Sequence, residues 1–410
     1  ESLQQIGSGT ANGVALEVIV SRMRYMSKQL KMQAAAPGRP SGDVRFIGLA
    51  SCIANVNNFA DWLGVTSSNC FNFHPQVRPI PVEISLQSFE SPDQSALQLA
   101  MTRPLLHAVS RYATTDDKGQ SATPTLIFTP SRKMSRLITL DLMTYMQAEN
   151  TPQRFLHVSD EEELTNILSA IDNPLLKDAL IQGIGFLNES LLEREIHLVK
   201  NLFTMGKIQV LIANRQFAFG LDVRAKFVAI VGTQYYEGKE HRYVDYNINE
   251  LLQMVSFAGR QVVFGASSAT STSSSAFDTN SRCIIMCHQK KREFYKKFLA
   301  DPVPVESHLE SFLHDHLNAE IYTKVIENKQ ETLDYLTWTF YYRRLPQNPN
   351  YYGLQGISHT HLSDKVSELM DETLSDLEQA KAIVVEDETE VSILNAGAIS
   401  AFYYIRYTTI

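Results

Sequence analysis

His314, Asp315 and His316 stand in a row, three side chains of the kind that bind metal ions. Adjacent and alternate residues of a helix point in different directions, so this run cannot close on one ion and no metal site is expected. Trp338, Phe340, Tyr341 and Tyr342 form an aromatic group that could stack nucleobases, although packing of a helix into a core is the favoured reading. Cys52, Cys70, Cys283 and Cys287 are few for the length and include no CxxC pair. Buried reduced thiols are therefore expected, rather than a zinc site or a disulfide framework. The sequence also contains no phosphate loop of the GxxxxGK[ST] type, the usual cradle for nucleotide phosphates.

At 410 residues, of which 44% are hydrophobic, the chain can fill the cores of two to four domains. A net charge of -8 argues against a surface coated for nucleic acid, while leaving room for a local basic channel. No apolar run reaches the roughly 18 to 20 residues of a membrane span. The opening ESLQQIGSGT lacks the charged-then-apolar order of a signal peptide, so an intracellular compartment is expected. Because the chain opens on Glu1 without a Met, a substantial preceding part is expected to be missing.

Any chemistry needs a scaffold, and the chain alternates β and α. Residues 44–49 (VRFIGL), 125–129 (TLIFT), 154–158 (RFLHV), 209–213 (QVLIA), 227–231 (FVAIV) and 282–286 (RCIIM) are short apolar runs of the buried-strand type. Between them, Ser131 can cap a helix with Met134, Ile138, Leu142 and Tyr145 on one face. Leu192, Ile196, Val199 and Phe203 repeat the pattern before Gly206. This predicts a parallel sheet covered by helices on both sides. After about residue 300 helices take over, and Val366, Met370, Leu374 and Leu377 stripe one that leads into AIVVEDETEVSIL, two strands about an acidic turn. That helix-then-hairpin order is found in winged helices. Residues 34–43 and 265–280 read as loops, the second expected to be mobile.

ESLQQIG resembles the DExH box followed by LIG of the superfamily 2 DExH-box RNA helicases, with Glu1, Ser2, Leu3 and Gln4 for Asp, Glu, x and His. In that family the box holds magnesium and positions water, work that Ser2 cannot do as a carboxylate does. Further stretches follow in the family's order. SRMRY (21–25) and VRFIGLASCIANVNNFADWLGV (44–65) are similar to the segment carrying a Ser-Ala-Thr motif, here Ala50, Ser51, Cys52. FHPQVRPIPVEI (73–84) resembles the crossover into the second RecA-like lobe. TLIFTPSRK (125–133) resembles a strand and loop that touch RNA, which makes Ser131, Arg132 and Lys133 candidates for phosphate contact; a solvated basic pair at a helix N-terminus is the alternative. GIGFLNESLLEREI (183–196) has Leu187, Asn188, Glu189 and Ser190 where active members carry two His before Ala-Gly.

QVLIANRQFAFGLDVRA (209–225) resembles the segment bridging RNA and nucleotide. Asn214 stands there for the usual Thr as a further RNA candidate, and Gly220 and Asp222 lie near the expected turn as nucleotide-facing candidates. Gly220 is more safely a backbone requirement. QMVSFAGR (253–260) is similar to QMxGRAGR, whose two arginines face the γ-phosphate. Phe257 replaces the first, leaving Gln253 and Arg260 as nucleotide-facing candidates, with a salt bridge as the alternative role of Arg260. No catalytic residue is assigned, because the box formed by Glu1, Ser2 and Gln4 is degenerate.

The most specific likeness is VESHLESFLHDHLNAEIYTKVIENKQETLDYLTWTFYYRRLPQNPNYYGLQG (305–356), which resembles the winged-helix region of the large spliceosomal helicases with two tandem cassettes; the likeness runs on to the final AFYYIRYTTI. It implies an α/β fold of RecA-like parallel-sheet lobes, a mainly α winged-helix domain and the start of a helical domain. The expected divisions are 1–88 for the end of the first lobe, 89–300 for the second, 301–395 for the winged helix and 396–410 for the helical start. It also implies a second cassette that binds proteins and tunes the first, the motor that unwinds paired small nuclear RNAs during pre-mRNA splicing. Expected partners are tri-snRNP proteins including the large scaffold protein, the active first cassette of the same polypeptide, and small nuclear RNA through the parent, in the nucleus and away from membranes. ATP and magnesium belong to a complete cassette, and none is expected for this stretch alone. Two readings compete: an active RNA-dependent ATPase cassette, and the related tandem-cassette helicase of a transcription coactivator complex, against which NPNYY and IENKQ count.

Overall fold

A computed structural model describes residues 3–33, 44–50, 53–74, 77–91, 93–113, 123–158, 161–238, 241–260, 281–300, 303–387 and 389–410. The loops expected at 34–43 and 265–280 fall outside these residues, as do Glu1, Ser2, Ser51 and Cys52. The chain forms two compact units, one of residues 73–302 and one of residues 1–72 with 303–410.

The 73–302 unit contains β1 (Val82–Phe89), β2 (Thr125–Thr129), β3 (Ile184–Leu187), β4 (Val210–Asn214), β5 (Phe227–Val231), β6 (Gln234–Glu237), β7 (Arg242–Asp245) and β8 (Ser281–His288). Six of these make one sheet in the order β1-β8-β5-β2-β4-β3, every neighbouring pair parallel. β6 and β7 pair antiparallel as a separate hairpin. Every residue of β2, β3, β4 and β5 is buried, because uninterrupted apolar runs suit strands covered on both faces. The connecting helices start on side-chain caps. Asp93 accepts from the Ala96 N–H at 3.2 Å, Ser131 from Met134 at 3.2 Å, and Asn173 from Leu176 at 3.2 Å ahead of Pro174. On the Arg132–Ala148 helix the expected stripe of Met134, Ile138 and Leu142 is buried, with Tyr145 half-buried.

Two expected strands are absent. Residues 44–49 are irregular and largely exposed, with Ile47 at 70%; Leu3 N–H to Leu49 C=O at 3.2 Å is the backbone bond they receive, so no ladder forms. Residues 154–158 form a turn with a single bridge, Leu156 to Ile208, because Phe155 and His157 bond to the antiparallel chain just before β4. The expected division at residue 88 falls inside β1, which is hydrogen-bonded along its length to β8.

In the other unit the helices Leu313–Tyr322, Lys329–Thr337, Phe340–Arg344 and His359–Gln379 precede the antiparallel pair β9 (Ile383–Glu386) and β10 (Glu390–Ile393), the expected helix-then-hairpin order. Val366, Met370, Leu374 and Leu377 are buried with Leu309, Leu313 and Leu317. Val14 and Val18 of the Ala11–Gln33 helix enter the same core, while on the Val56–Leu63 helix Phe59 stacks on Phe340 and Trp62 meets it at a tilt. Thus Phe340 and Tyr341 are core residues, whereas Trp338 and Tyr342 are half-buried.

One buried acid joins these segments. Glu17 accepts from Ser307 Oγ at 2.7 Å and from the Tyr341 N–H at 2.8 Å, with no solvent exposure. Burial pushes its carboxyl up to about 7, although those hydrogen bonds pull the other way. The folded value lies above the unfolded one, so this contribution to stability is complete below about pH 4.5 and is lost as pH rises through 7. By linkage the loss is about 3 kcal/mol. Urea unfolding at pH 5 and pH 8 should therefore show a smaller fall in stability for Glu17→Gln than for the parent chain; equal falls would remove Glu17 as the source.

Candidate nucleotide and RNA site

Open α/β sheets bind ligands beyond the carboxyl ends of their strands, where Ser131, Arg132, Lys133 and Asn214 stand. Ser131, Arg132 and Lys133 follow β2 and are all exposed. Asn214 ends the neighbouring strand β4 and is buried. Its Oδ1 accepts from Thr129 Oγ1 at 3.1 Å and its Nδ2 donates to Glu189 Oε1 at 3.3 Å. The amide therefore braces the ends of β2 and β4 and the turn after β3, a role its replacement of Thr did not disclose. Within that turn Asn188 Oδ1 accepts from the N–H of Ser190 at 3.0 Å and from its hydroxyl at 2.7 Å.

Gly220, Asp222 and Arg260 come together. Gly220 has φ of +85°, a conformation glycine adopts without strain, and it is exposed, as is Asp222. Arg260 Nη1 donates to the carbonyls of Leu221 at 3.1 Å and Val223 at 3.2 Å, on either side of Asp222. Burial lowers the guanidinium pKa; Asp222 opposes that shift and Arg224 adds to it. Its planar face lies 3.9 Å from the centroid of Phe257, which is fully buried and meets Phe128 of β2 at 5.4 Å. Gln253 is buried in the Ile248–Ser256 helix.

The residue in the place of the first motif arginine points into the core as Phe257, and Arg260 donates to the carbonyls of a backbone loop. Gln4 is buried in the Leu3–Ser8 turn of the other unit. His314 and Asp315 of the HDH run both meet Tyr407. His314 Nε2 lies 3.1 Å from Asp376 and stacks on Tyr407, and Asp315 accepts from the Tyr407 N–H at 3.0 Å. Burial lowers the His316 pKa, with Asp315 opposing it.

Two polar arrangements escaped the sequence reading. Arg215 Nε pairs with Glu250 Oε1 at 2.6 Å and lies over the Tyr235 ring at 3.5 Å. In the other unit Arg344 forks onto Glu306 at 2.9 and 2.6 Å and donates to Asn58 Oδ1 at 2.6 Å, while Asn348 Nδ2 and Tyr352 OH also donate to Glu306. Arg344 ends the Phe340–Arg344 helix and Asn348 and Tyr352 lie in the turns that follow, so no periodicity in the sequence signals the cluster.

Comparison with known proteins places the chain. Residues 306–387 match the family model of a winged helix-turn-helix domain. The U5 small nuclear ribonucleoprotein 200 kDa helicase of Homo sapiens is 47% identical over 98% of this chain, and the chain spans 17% of that protein. The DExH-box ATP-dependent RNA helicase DExH12 of Arabidopsis thaliana is 43% identical over 98% of the chain and 17% of its own length. The activating signal cointegrator 1 complex subunit 3-like protein of Dictyostelium discoideum is 44% identical over 98% and 17%. With its six-stranded parallel sheet of RecA-like α/β type and its winged helix, the chain belongs with the large DExH-box RNA helicases, as the homologue of one segment of them.

Proposed function

We propose that this chain is a degenerate cassette of an ATP-dependent spliceosomal RNA helicase, working in the nucleus as a protein-interaction and regulatory platform rather than as a motor. The observation that carries this reading is Phe257: a fully buried ring stands where active members present an arginine to the γ-phosphate. Ser2 in place of the catalytic Glu, and the bracing of Asn214, agree with it. ATP and magnesium then belong to the parent protein. Its partners would be tri-snRNP proteins, the large scaffold protein among them, its active cassette, and small nuclear RNA.

The test is RNA-stimulated ATP hydrolysis by the parent helicase with the phosphate-loop lysine of its other cassette replaced. No turnover above background is expected. Robust RNA-dependent turnover would show a second working motor and overturn the proposal. The similarity to the cointegrator-complex protein supports a second reading, a transcription-coactivator helicase. Co-purification of the parent with small nuclear RNAs, or with transcription factors instead, separates the two.

A further inference from the structure

Arg24 and Lys28 lie one turn apart on the Ala11–Gln33 helix, and Arg343 of the Phe340–Arg344 helix acts on Arg24 as a like charge. The first two converge on one ring: Lys28 Nζ lies 4.5 Å from the centroid of Trp338 and the Arg24 guanidinium carbon 5.9 Å from it. Lys28 and Arg343 are exposed and Arg24 is half-buried. Among the described residues none of the three is in an ion pair, whereas Arg22 of the same helix lies 3.6 Å from Glu320. Burial lowers the Arg24 pKa, and Arg343 lowers it further. A Cβ added at Gly64 would come 3.6 Å from Arg24 Nη2, which sets the guanidinium at the carboxyl end of the Val56–Leu63 helix. That helix end supplies about half a negative charge, too little for three cations. Like charges gathered in this way repel until an anion joins them.

The chemistry of the anion follows from what the surface offers. Trp338 is no open stacking platform: it is half-buried, Tyr25 meets it edge-on at 5.8 Å, and Lys28 lies over it. A nucleobase would compete with the ammonium for the ring. What remains is charge and donor geometry, two guanidinium forks that each match the two oxygens of a carboxylate, and one ammonium. Asp or Glu side chains a few residues apart on a partner chain fit this set. Ile19, Met23, Met26 and Leu30, all exposed, run along the opposite side of the same helix, so a neighbour covering that apolar stripe leaves the cations open.

We infer that Arg24, Lys28 and Arg343 form a docking site around Trp338 for an acidic segment of a partner protein. This rests on the reading of the chain as a protein-interaction platform, but it involves no nucleotide, so the hydrolysis assay and a binding assay can fail independently. The experiment is fluorescence anisotropy of labelled octaglutamate titrated with the 410-residue chain at low salt. Arg24→Gln/Lys28→Gln/Arg343→Gln should weaken binding at least about tenfold. Lys290→Gln/Arg292→Gln/Lys296→Gln removes three exposed cations elsewhere and should change binding less than about twofold. The chain has two Trp and Trp62 is fully buried, so the peptide should shift the tryptophan emission, and Trp338→Phe should abolish that shift. Unchanged binding in the first triple, equal weakening by both, or displacement of the peptide by a 12-nucleotide RNA at lower concentration than by unlabelled octaglutamate would each overturn the inference. If circular dichroism shows the first triple unfolded, Lys28→Gln/Arg343→Gln decides: it leaves the half-buried Arg24 in place and should still weaken binding about threefold.

Discussion

Phe257→Arg is expected to destabilise the 73–302 unit by about 4 kcal/mol or more and to restore no turnover. Restoring the motif's arginine by sequence alone looks like repair, but the site has been rebuilt around a ring. Phe257 is fully buried against Phe128, and the guanidinium of Arg260 lies on its other side at 3.9 Å from the centroid. A second guanidinium there would leave a cavity beside Phe128, bury a charge, and face Arg260 with like charge across a short gap. Arg260 would also lose the ring that helps fix it on the carbonyls of Leu221 and Val223. Phe257→Leu stays apolar but is smaller and gives up the ring beneath Arg260, so it should cost less than the arginine, about 1 to 2 kcal/mol. Urea unfolding distinguishes the cases, and an arginine variant as stable as the parent would show that this position still faces solvent or ligand.

How much of this was legible in the sequence depends on burial. β2, β4, β5 and β8 could be read because strands covered on both faces are nearly continuous apolar runs. β1 lies at the sheet edge with a partly exposed, alternating pattern, and β3 is only four residues long, so neither offers an apolar run long enough to mark a buried strand. The β6–β7 hairpin, QYYE and RYVD, has no apolar run to notice. Residues 44–49 show the opposite failure, since an apolar run becomes a strand only where a neighbour accepts its backbone bonds. At the candidate site the chain order of motifs placed Ser131 and Asn214 on adjacent strand ends and Gly220, Asp222 and Arg260 about one loop. What the order could not tell is which polar groups had been turned inward. Asn214 and Arg260 both look like ligand contacts by type, and both are engaged with their own unit.

The same lesson predicts the most sensitive point of the other unit. Arg344→Met is expected to cost about 3 to 5 kcal/mol. Arg344 and Glu306 have side chains only 5% and 11% exposed, and the fork between them is bidentate. Removing the guanidinium leaves the Glu306 carboxylate in a dry pocket with only Asn348 Nδ2 and Tyr352 OH donating to it, and strands Asn58 Oδ1 as well. Arg344→Lys preserves charge but not the fork, and should recover only part of the loss. Glu306→Gln should be milder than Arg344→Met, because the amide oxygen still accepts while no carboxylate is left unpaired. Since Asn58 sits on the Val56–Leu63 helix and Glu306 at the entry to the winged helix, loss of Arg344 should also loosen the N-terminal segment from that domain. Hydrogen exchange would then rise in residues 56–63 together with 306–352; faster exchange in the winged helix alone would refute the coupling. The rings of Phe340 and Tyr341 supply buried area, and beside them Arg344 links Glu306 to Asn58, so its removal should act on both segments at once.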